Sequence, residues 1–91
     1  MRILELDVKD VKLDFKTAEK MADSKAESEL GDCIRLGWYN DELKLVSPDH
    51  LLGSSEKPQQ GVESFAKSRG AEMEIDVFGG RYRFYYKQFM E

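Results

Sequence analysis

The sequence contains few of the residues from which disulfides and metal centres are built. Among its 91 residues there is one cysteine, Cys33, and one histidine, His50. A single cysteine cannot form an internal disulfide, and a structural zinc site needs several thiolate or imidazole ligands. We therefore expect no disulfide, no metal centre and no bound cofactor.

Long apolar runs and an excess of positive charge are also lacking. No stretch approaches the roughly 20 apolar residues that cross a bilayer, and the start, MRILELDVKD, lacks the basic region and longer apolar stretch of a signal peptide. The net charge is −4, whereas binding to nucleic acid or anionic membranes is driven by clustered positive charge. We therefore expect a cytoplasmic protein that does not bind membranes and for which nucleic acid is a disfavoured partner.

What is present is the composition of one small folded domain. Hydrophobic residues make up 41% of the chain and charged residues 35%, which is too apolar for a disordered chain. A chain of this length buries about 60–65% of the surface that its unfolded form exposes. Residues 1–91 are therefore predicted to form a single domain around one core.

The spacing of apolar residues predicts an α+β fold: a small antiparallel sheet built from hairpins, with one longer and one short helix packed on one face. Helical spacing and high helix propensity predict the longer helix over residues 16–30, and the shorter one is predicted over residues 60–69. Gly31 and Gly70 stand where C-terminal caps are expected.

Three hairpins are predicted from alternating apolar residues on either side of a turn. The Gly79-Gly80 pair is the strongest turn signal, because glycine accepts a positive φ. The other two turns are expected at Lys9-Asp10 and Asn40-Asp41. The three hairpins would place Leu4 opposite Phe15, Trp38 opposite Leu43, and Ile75 opposite Phe84.

The last predicted strand interleaves basic and aromatic residues. Such strands bind single-stranded nucleic acid when aromatic rings stack on bases and cations contact phosphates. In the predicted register the acids of the facing strand lie opposite these bases, and one aromatic side chain stays free to stack. The candidate residues for binding an anionic ligand or nucleic acid are Arg81, Arg83, Tyr85 and Lys87.

A second candidate surface combines an acidic helix face with aromatic residues of the sheet. Like charges at i, i+4 spacing are typical of a solvated face or a surface for a basic partner, and tyrosine and tryptophan are enriched in interfaces. The candidate interaction residues are Glu19, Asp23, Glu27, Trp38 and Tyr39.

A catalytic site has weaker support. Cys33 and His50 could form a thiol–imidazole pair oriented by Asp49, but no catalytic signature surrounds them, and no catalytic residue is assigned. The sequence favours a non-enzymatic protein-interaction or regulatory domain whose partner is another protein or a second copy of the chain. Two alternatives stay open: binding of single-stranded nucleic acid or an anionic ligand through the last strand, and a small enzyme using Cys33 or His50.

Overall fold

The structure is a computed structural model, and it describes residues 1–7, 14–47 and 58–89. Within these residues the α+β class is confirmed, and neither helix is long and apolar enough to cross a membrane. The elements, in chain order, are β1 (Arg2–Leu6), α1 (Phe15–Leu30), β2 (Cys33–Asn40), β3 (Leu45–Ser47), α2 (Pro58–Ser68), β4 (Met73–Val77) and β5 (Tyr82–Gln88).

The sheet is mixed, with the strand order β1-β4-β5-β2-β3. β1 runs parallel to β4 and places Leu4 opposite Ile75, whereas the other neighbouring strands are antiparallel. The predicted pairing of Leu4 with Phe15 is wrong, because Phe15 begins α1. The reason is the preceding residue: the Asp14 carboxylate accepts a hydrogen bond from the Thr17 amide at 2.7 Å and caps the helix. The rest of that predicted hairpin lies outside the described residues.

The two helices lie on opposite faces of the sheet, which corrects the prediction of one covered face. Successive side chains of a strand point to opposite faces, and β4 and β5 are buried on both. On the α1 face the buried core residues are Ala18, Ala22, Ala26, Met73, Ile75, Val77, Tyr82, Phe84 and Tyr86. On the α2 face they are Tyr39, Val46, Val62, Ala66 and Tyr85.

The C-terminal hairpin has the predicted register. Ile75 lies opposite Phe84 and Val77 opposite Tyr82, and both glycines of the turn have positive φ, 68° at Gly79 and 88° at Gly80. This register could be predicted from the sequence because a single register pairs apolar residues on one face of the hairpin and opposite charges on the other.

The hairpin formed by β2 and β3 has a different register from the predicted one. Trp38 lies opposite Ser47 rather than Leu43, because the connection is four residues long, over residues 41–44. Asn40 stays in the strand, and its side-chain oxygen accepts a hydrogen bond from the Leu43 amide at 3.2 Å. Lys44 then takes a positive φ of 55°, so the chain closes without the two-residue turn.

Candidate functional site

A group of polar side chains lies buried on the α2 face of β4 and β5. Glu74, Asp76, Arg83 and Tyr85 share this face because the residues between them point towards α1. Glu74 is 1% exposed, Asp76 8% and Tyr85 0%. The face therefore holds two buried carboxyl groups, Glu74 and Asp76, which we call the acid pair.

Hydrogen bonding within this group is incomplete. One polar atom of each residue is buried without a hydrogen-bond partner: Glu74 Oε1, Asp76 Oδ1, Arg83 Nε and Tyr85 Oη. The ion pair between Arg83 Nη1 and Glu74 Oε2 is long, at 3.9 Å. Because most buried polar atoms in proteins are paired, four unpaired atoms on one face mark this region as a candidate functional site.

Asp76 of the acid pair has a perturbed protonation equilibrium. Removal from water, followed by the hydrogen bond and the charge of Glu74, raises the pKa of Asp76 to about 7, although the Arg83 guanidinium opposes the shift. The charge of Glu5, directly across in β1, adds to the increase. Asp76 can therefore gain or lose a proton near neutral pH, which is a common property of functional carboxyl groups.

An open polar pocket of about 330 Å³ lies next to this group, at the turn between β4 and β5. We call it the turn pocket. Arg83 belongs to both regions, since its guanidinium lines the pocket and also contacts the acid pair. The described residues that line the turn pocket are Tyr39, Asp41, Gln59, Phe78, Gly79, Gly80, Arg81 and Arg83.

Gly80 makes room for the Arg83 side chain. A Cβ atom at position 80 would lie 2.9 Å from Arg83 Nη2 and 3.3 Å from its Nε. Any larger residue at position 80 must therefore displace the guanidinium from the pocket wall. At Gly79 the same added atom would meet nothing within 4 Å, so the two glycines differ in what they allow.

The Asp41 carboxylate in the turn pocket already accepts hydrogen bonds from neighbouring side chains. Asp41 Oδ1 accepts hydrogen bonds from the Tyr39 hydroxyl and from Lys44 Nζ, both at 2.6 Å, and these contacts lower the pKa of Asp41. By contrast, no described carboxylate lies within salt-bridge distance of Arg81, and Arg83 has only its long contact with Glu74. Within the described part of the chain, the two arginines of the pocket therefore have few hydrogen-bond acceptors.

The basic residues predicted to bind an anion lie in two separate cavities. Arg81 and Arg83 meet in the turn pocket, but Lys87 lies towards the other end of β5, in a separate cavity that Arg69 and Glu72 also line. Tyr85 was expected to be free to stack on a base. It is fully buried instead, because α2 covers the face that the sequence suggested was open.

The predicted interaction residues do not form one surface. Arg35 neutralises much of the acidic helix face, at 2.9 Å from Glu19 and 3.2 Å from Asp23, and Glu27 is exposed. Trp38 is half-buried on the α1 face, with its ring centroid 4.7 Å from that of Phe15. Tyr39 is buried on the opposite face.

The thiol of Cys33 lies in an unreactive environment. It lines a cavity of about 180 Å³ with Asp23, Glu27, Arg35 and Tyr86. Burial, together with the charges of Glu27, Asp23 and Asp32, raises the pKa of this thiol and keeps it protonated. Its predicted partners Asp49 and His50 lie outside the described residues. Among the residues that are described, no group of three or more His, Cys, Asp or Glu could hold a metal ion.

Sequence analysis missed the acid pair because it placed Glu74 and Asp76 on a solvated face. A signal was present in the second helix. A short amphipathic helix needs its own apolar surface to cover, and the alternating residues of β4 and β5 offer one face to each helix. Two helices and two faces of one sheet would have indicated that the face opposite α1 is covered as well.

Comparisons with known proteins identify a fold and a family. A search of the curated proteins finds no match. The crystal structure of AF1514 from Archeoglobus fulgidus DSM 4304, described as a novel non-family-model protein, is similar with a TM-score of 0.79. The match covers 100% of this chain and 98% of that one at 23% identity, which supports the fold alone. A family model matches residues 1–86, and the chain therefore belongs to the family described as Domain of unknown function (DUF5619).

Proposed function

We propose that this domain is a non-enzymatic binding domain that takes a small anionic group, a carboxylate or a phosphate, in the turn pocket. The observation that carries the proposal is that Arg81 and Arg83 line one polar pocket while most of their donors lack a partner among the described residues. A guanidinium presents its donors as a planar fork that matches carboxylate and phosphate oxygens.

The charges around the pocket favour an anion over a cation. The Asp41 charge is offset by Lys44, so the remaining charge among the described residues of the pocket wall comes from the two arginines. Behind them, protonation of Asp76 near neutral pH removes part of the negative charge that would otherwise compensate Arg83. An incoming anion would supply the acceptors that the guanidinium of Arg83 lacks.

Binding is a better account of this pocket than catalysis. None of the described residues that line it is a serine, cysteine or histidine, and the Tyr39 hydroxyl already donates to Asp41. Base stacking is also excluded for Tyr85 as it lies in this fold, because its side chain is fully buried. The proposal therefore keeps anionic-ligand binding through the last strand, but with Arg81 and Arg83 as the binding residues.

Isothermal titration calorimetry tests the proposal with inorganic phosphate and citrate as probes. Arg81→Gln and Arg83→Gln are compared with Lys87→Gln, which removes the same charge from the other end of β5. We expect each arginine variant to bind at least about tenfold more weakly, since a hydrogen bond to a charged group is worth roughly 1.5–3 kcal/mol. The control should bind as the wild type does. Circular dichroism verifies that each variant is folded.

Three results would overturn the proposal. Wild-type protein that binds neither probe at tens of millimolar has no such site. Equal loss in all three variants would show an attraction to net charge alone. Tighter binding of a single-stranded oligonucleotide that depends on Lys87 as much as on Arg83 would indicate a nucleic-acid surface along the whole of β5.

A further inference from the structure

The outer edge of β1 is unprotected among the described strands. β1 and β3 are the two edges of the sheet, and β3 has only three residues, Leu45–Ser47. β1 has five residues in regular parallel pairing with β4, without a bulge or a proline. Open edges of this kind readily accept another strand.

The backbone groups that face outward can be assigned from the pairing with β4. The Arg2 amide donates to the Glu72 carbonyl at 3.0 Å, and the Leu6 carbonyl accepts from the Phe78 amide at 3.1 Å. Backbone groups of alternate residues in a strand point to opposite edges. The amide and carbonyl groups of Ile3 and Glu5 therefore point away from β4.

Apolar surface lies on both sides of this edge. Ile3 is 58% exposed on the α2 side. On the α1 side an open groove of about 530 Å³ runs between β1 and the helix. The groove is lined by Leu6, Lys20, Met21, Ser24, Lys25 and Ser28.

We propose that a second copy of this chain pairs with β1, antiparallel and about a two-fold axis beside Leu4. This arrangement places Leu4 opposite the partner's Leu4 and Ile3 opposite the partner's Glu5. The outward amide and carbonyl groups of Ile3 and Glu5 then form four hydrogen bonds across the axis, two at each end. Closed two-fold pairing is the commonest assembly of identical chains.

The register follows from the strand itself. Centring the axis on Leu4 pairs the whole of Arg2–Leu6. A shift of the axis by one residue towards the C-terminus sets Glu5 opposite the partner's Glu5, where like charges repel. A shift the other way sets Ile3 opposite the partner's Ile3 and leaves Glu5 and Leu6 without a partner within the strand.

The charges on α1 fit the same axis. Arg2 contacts Glu29 at 3.4 Å, and Lys20 is among the helix residues that line the groove with Leu6. Four strand residues and nine helix residues each rise about 13 Å, which sets Leu4 level with the middle of α1. The two-fold axis then brings Lys20 level with the partner's Glu29 at both ends of the interface.

Sedimentation equilibrium of the full chain tests this interface. We expect a mass of twice the 10.5 kDa chain at tens of micromolar for the wild type. Ile3→Pro removes an outward amide without touching a bond to β4, and proline is tolerated at such edge positions, so this variant should be a monomer with a wild-type circular dichroism spectrum. Ile3→Glu sets like charges opposite each other, because Ile3 faces the partner's Glu5, and should weaken association at least tenfold. Leu43→Glu adds the same charge at a 63% exposed residue between β2 and β3, at the other edge of the sheet, and should not weaken it.

Each alternative outcome is decisive. A wild-type monomer at 100 µM overturns the proposal. A dimer that survives Ile3→Pro with unchanged affinity has its interface elsewhere and also overturns it. A monomer that binds an added β1 peptide would show that the edge accepts a strand but not a second copy. None of these results depends on the turn pocket.

Discussion

Tyr85 and Tyr86 are neighbours in β5 and are both almost fully buried, yet only the Tyr86 hydroxyl makes a hydrogen bond of good geometry. The Tyr86 hydroxyl donates to Asp23 Oδ1 at 2.6 Å on the α1 face. The Tyr85 hydroxyl, on the α2 face, makes no hydrogen bond of good geometry, although the nearby Glu74 carboxylate helps to raise its pKa. Burial raises the pKa of both groups, so both stay protonated. Among the described residues, the buried polar side-chain atoms without a hydrogen-bond partner all lie on the face that carries the acid pair.

Replacing each tyrosine by phenylalanine compares the contribution of the two hydroxyl groups to stability, one on each face of the sheet. Tyr86→Phe should lower the free energy of unfolding by about 1 kcal/mol, because it removes a made hydrogen bond and leaves an Asp23 oxygen without this donor. Tyr85→Phe should leave stability unchanged or raise it by up to about 1 kcal/mol, since an unpaired buried hydroxyl is removed. Urea denaturation of both variants checks this. A larger loss for Tyr85→Phe than for Tyr86→Phe would contradict the account.

Asp76 should make stability depend on pH. The pKa of Asp76 is raised from 3.8 to about 7 in the folded state, so the folded protein binds the proton more tightly than the unfolded chain. Stability contributed by this group is therefore lost as pH rises from about 4 to 7 and is constant above. The charges that face Asp76 among the described residues are those of Glu74, Arg83 and Glu5.

Asp76→Asn removes this titration and serves as the test. Relative to the variant, the wild type should lose on the order of 2 kcal/mol of unfolding free energy between pH 5 and pH 8. Thermal or urea unfolding at the two pH values measures the difference. If the difference between the two proteins is the same at pH 5 and at pH 8, Asp76 does not titrate in this range.

The two turn glycines give a matched pair for the turn pocket. Both have positive φ, so Gly79→Ala and Gly80→Ala carry a similar backbone strain. Only the Cβ at position 80 meets Arg83. We therefore expect Gly80→Ala to weaken phosphate binding several-fold more than Gly79→Ala does, measured by calorimetry. Equal affinity of the two variants would mean that the position of the Arg83 guanidinium does not matter for binding.

Local patterns predicted the elements whose determinants lie close together in the sequence. Gly31 ends α1, whose buried residues recur as Ala18, Ala22 and Ala26. The Gly79-Gly80 turn sets the register of β4 and β5. In these cases the residues that determine the structure are close together in the chain, so a short stretch of sequence is enough to predict the element.

Long-range pairing was outside the reach of such patterns. Nothing near β1 indicates that Leu4 lies opposite Ile75, more than 70 residues away in the chain, and parallel pairing leaves no turn as a signal. The burial of the acid pair was missed for the same reason, because it depends on contacts between distant parts of the chain. Glu74 and Asp76 look solvated until both helices are placed, and α2 packs closely because Gly37 has no side chain, where a Cβ would lie 3.1 Å from Val62 Cγ2.

The most direct test of the anion-binding account is a nuclear magnetic resonance titration of the labelled protein with inorganic phosphate. It follows the amide signals of Gly79 and Gly80 and the side-chain Nε–H signals of Arg81 and Arg83, with those of Arg35 and Arg69 as internal controls. The account predicts saturable shifts at the turn glycines and at Arg81 and Arg83, and no comparable change at the two control arginines. Shifts of similar size at all four arginines, or no saturation at the turn, would contradict it.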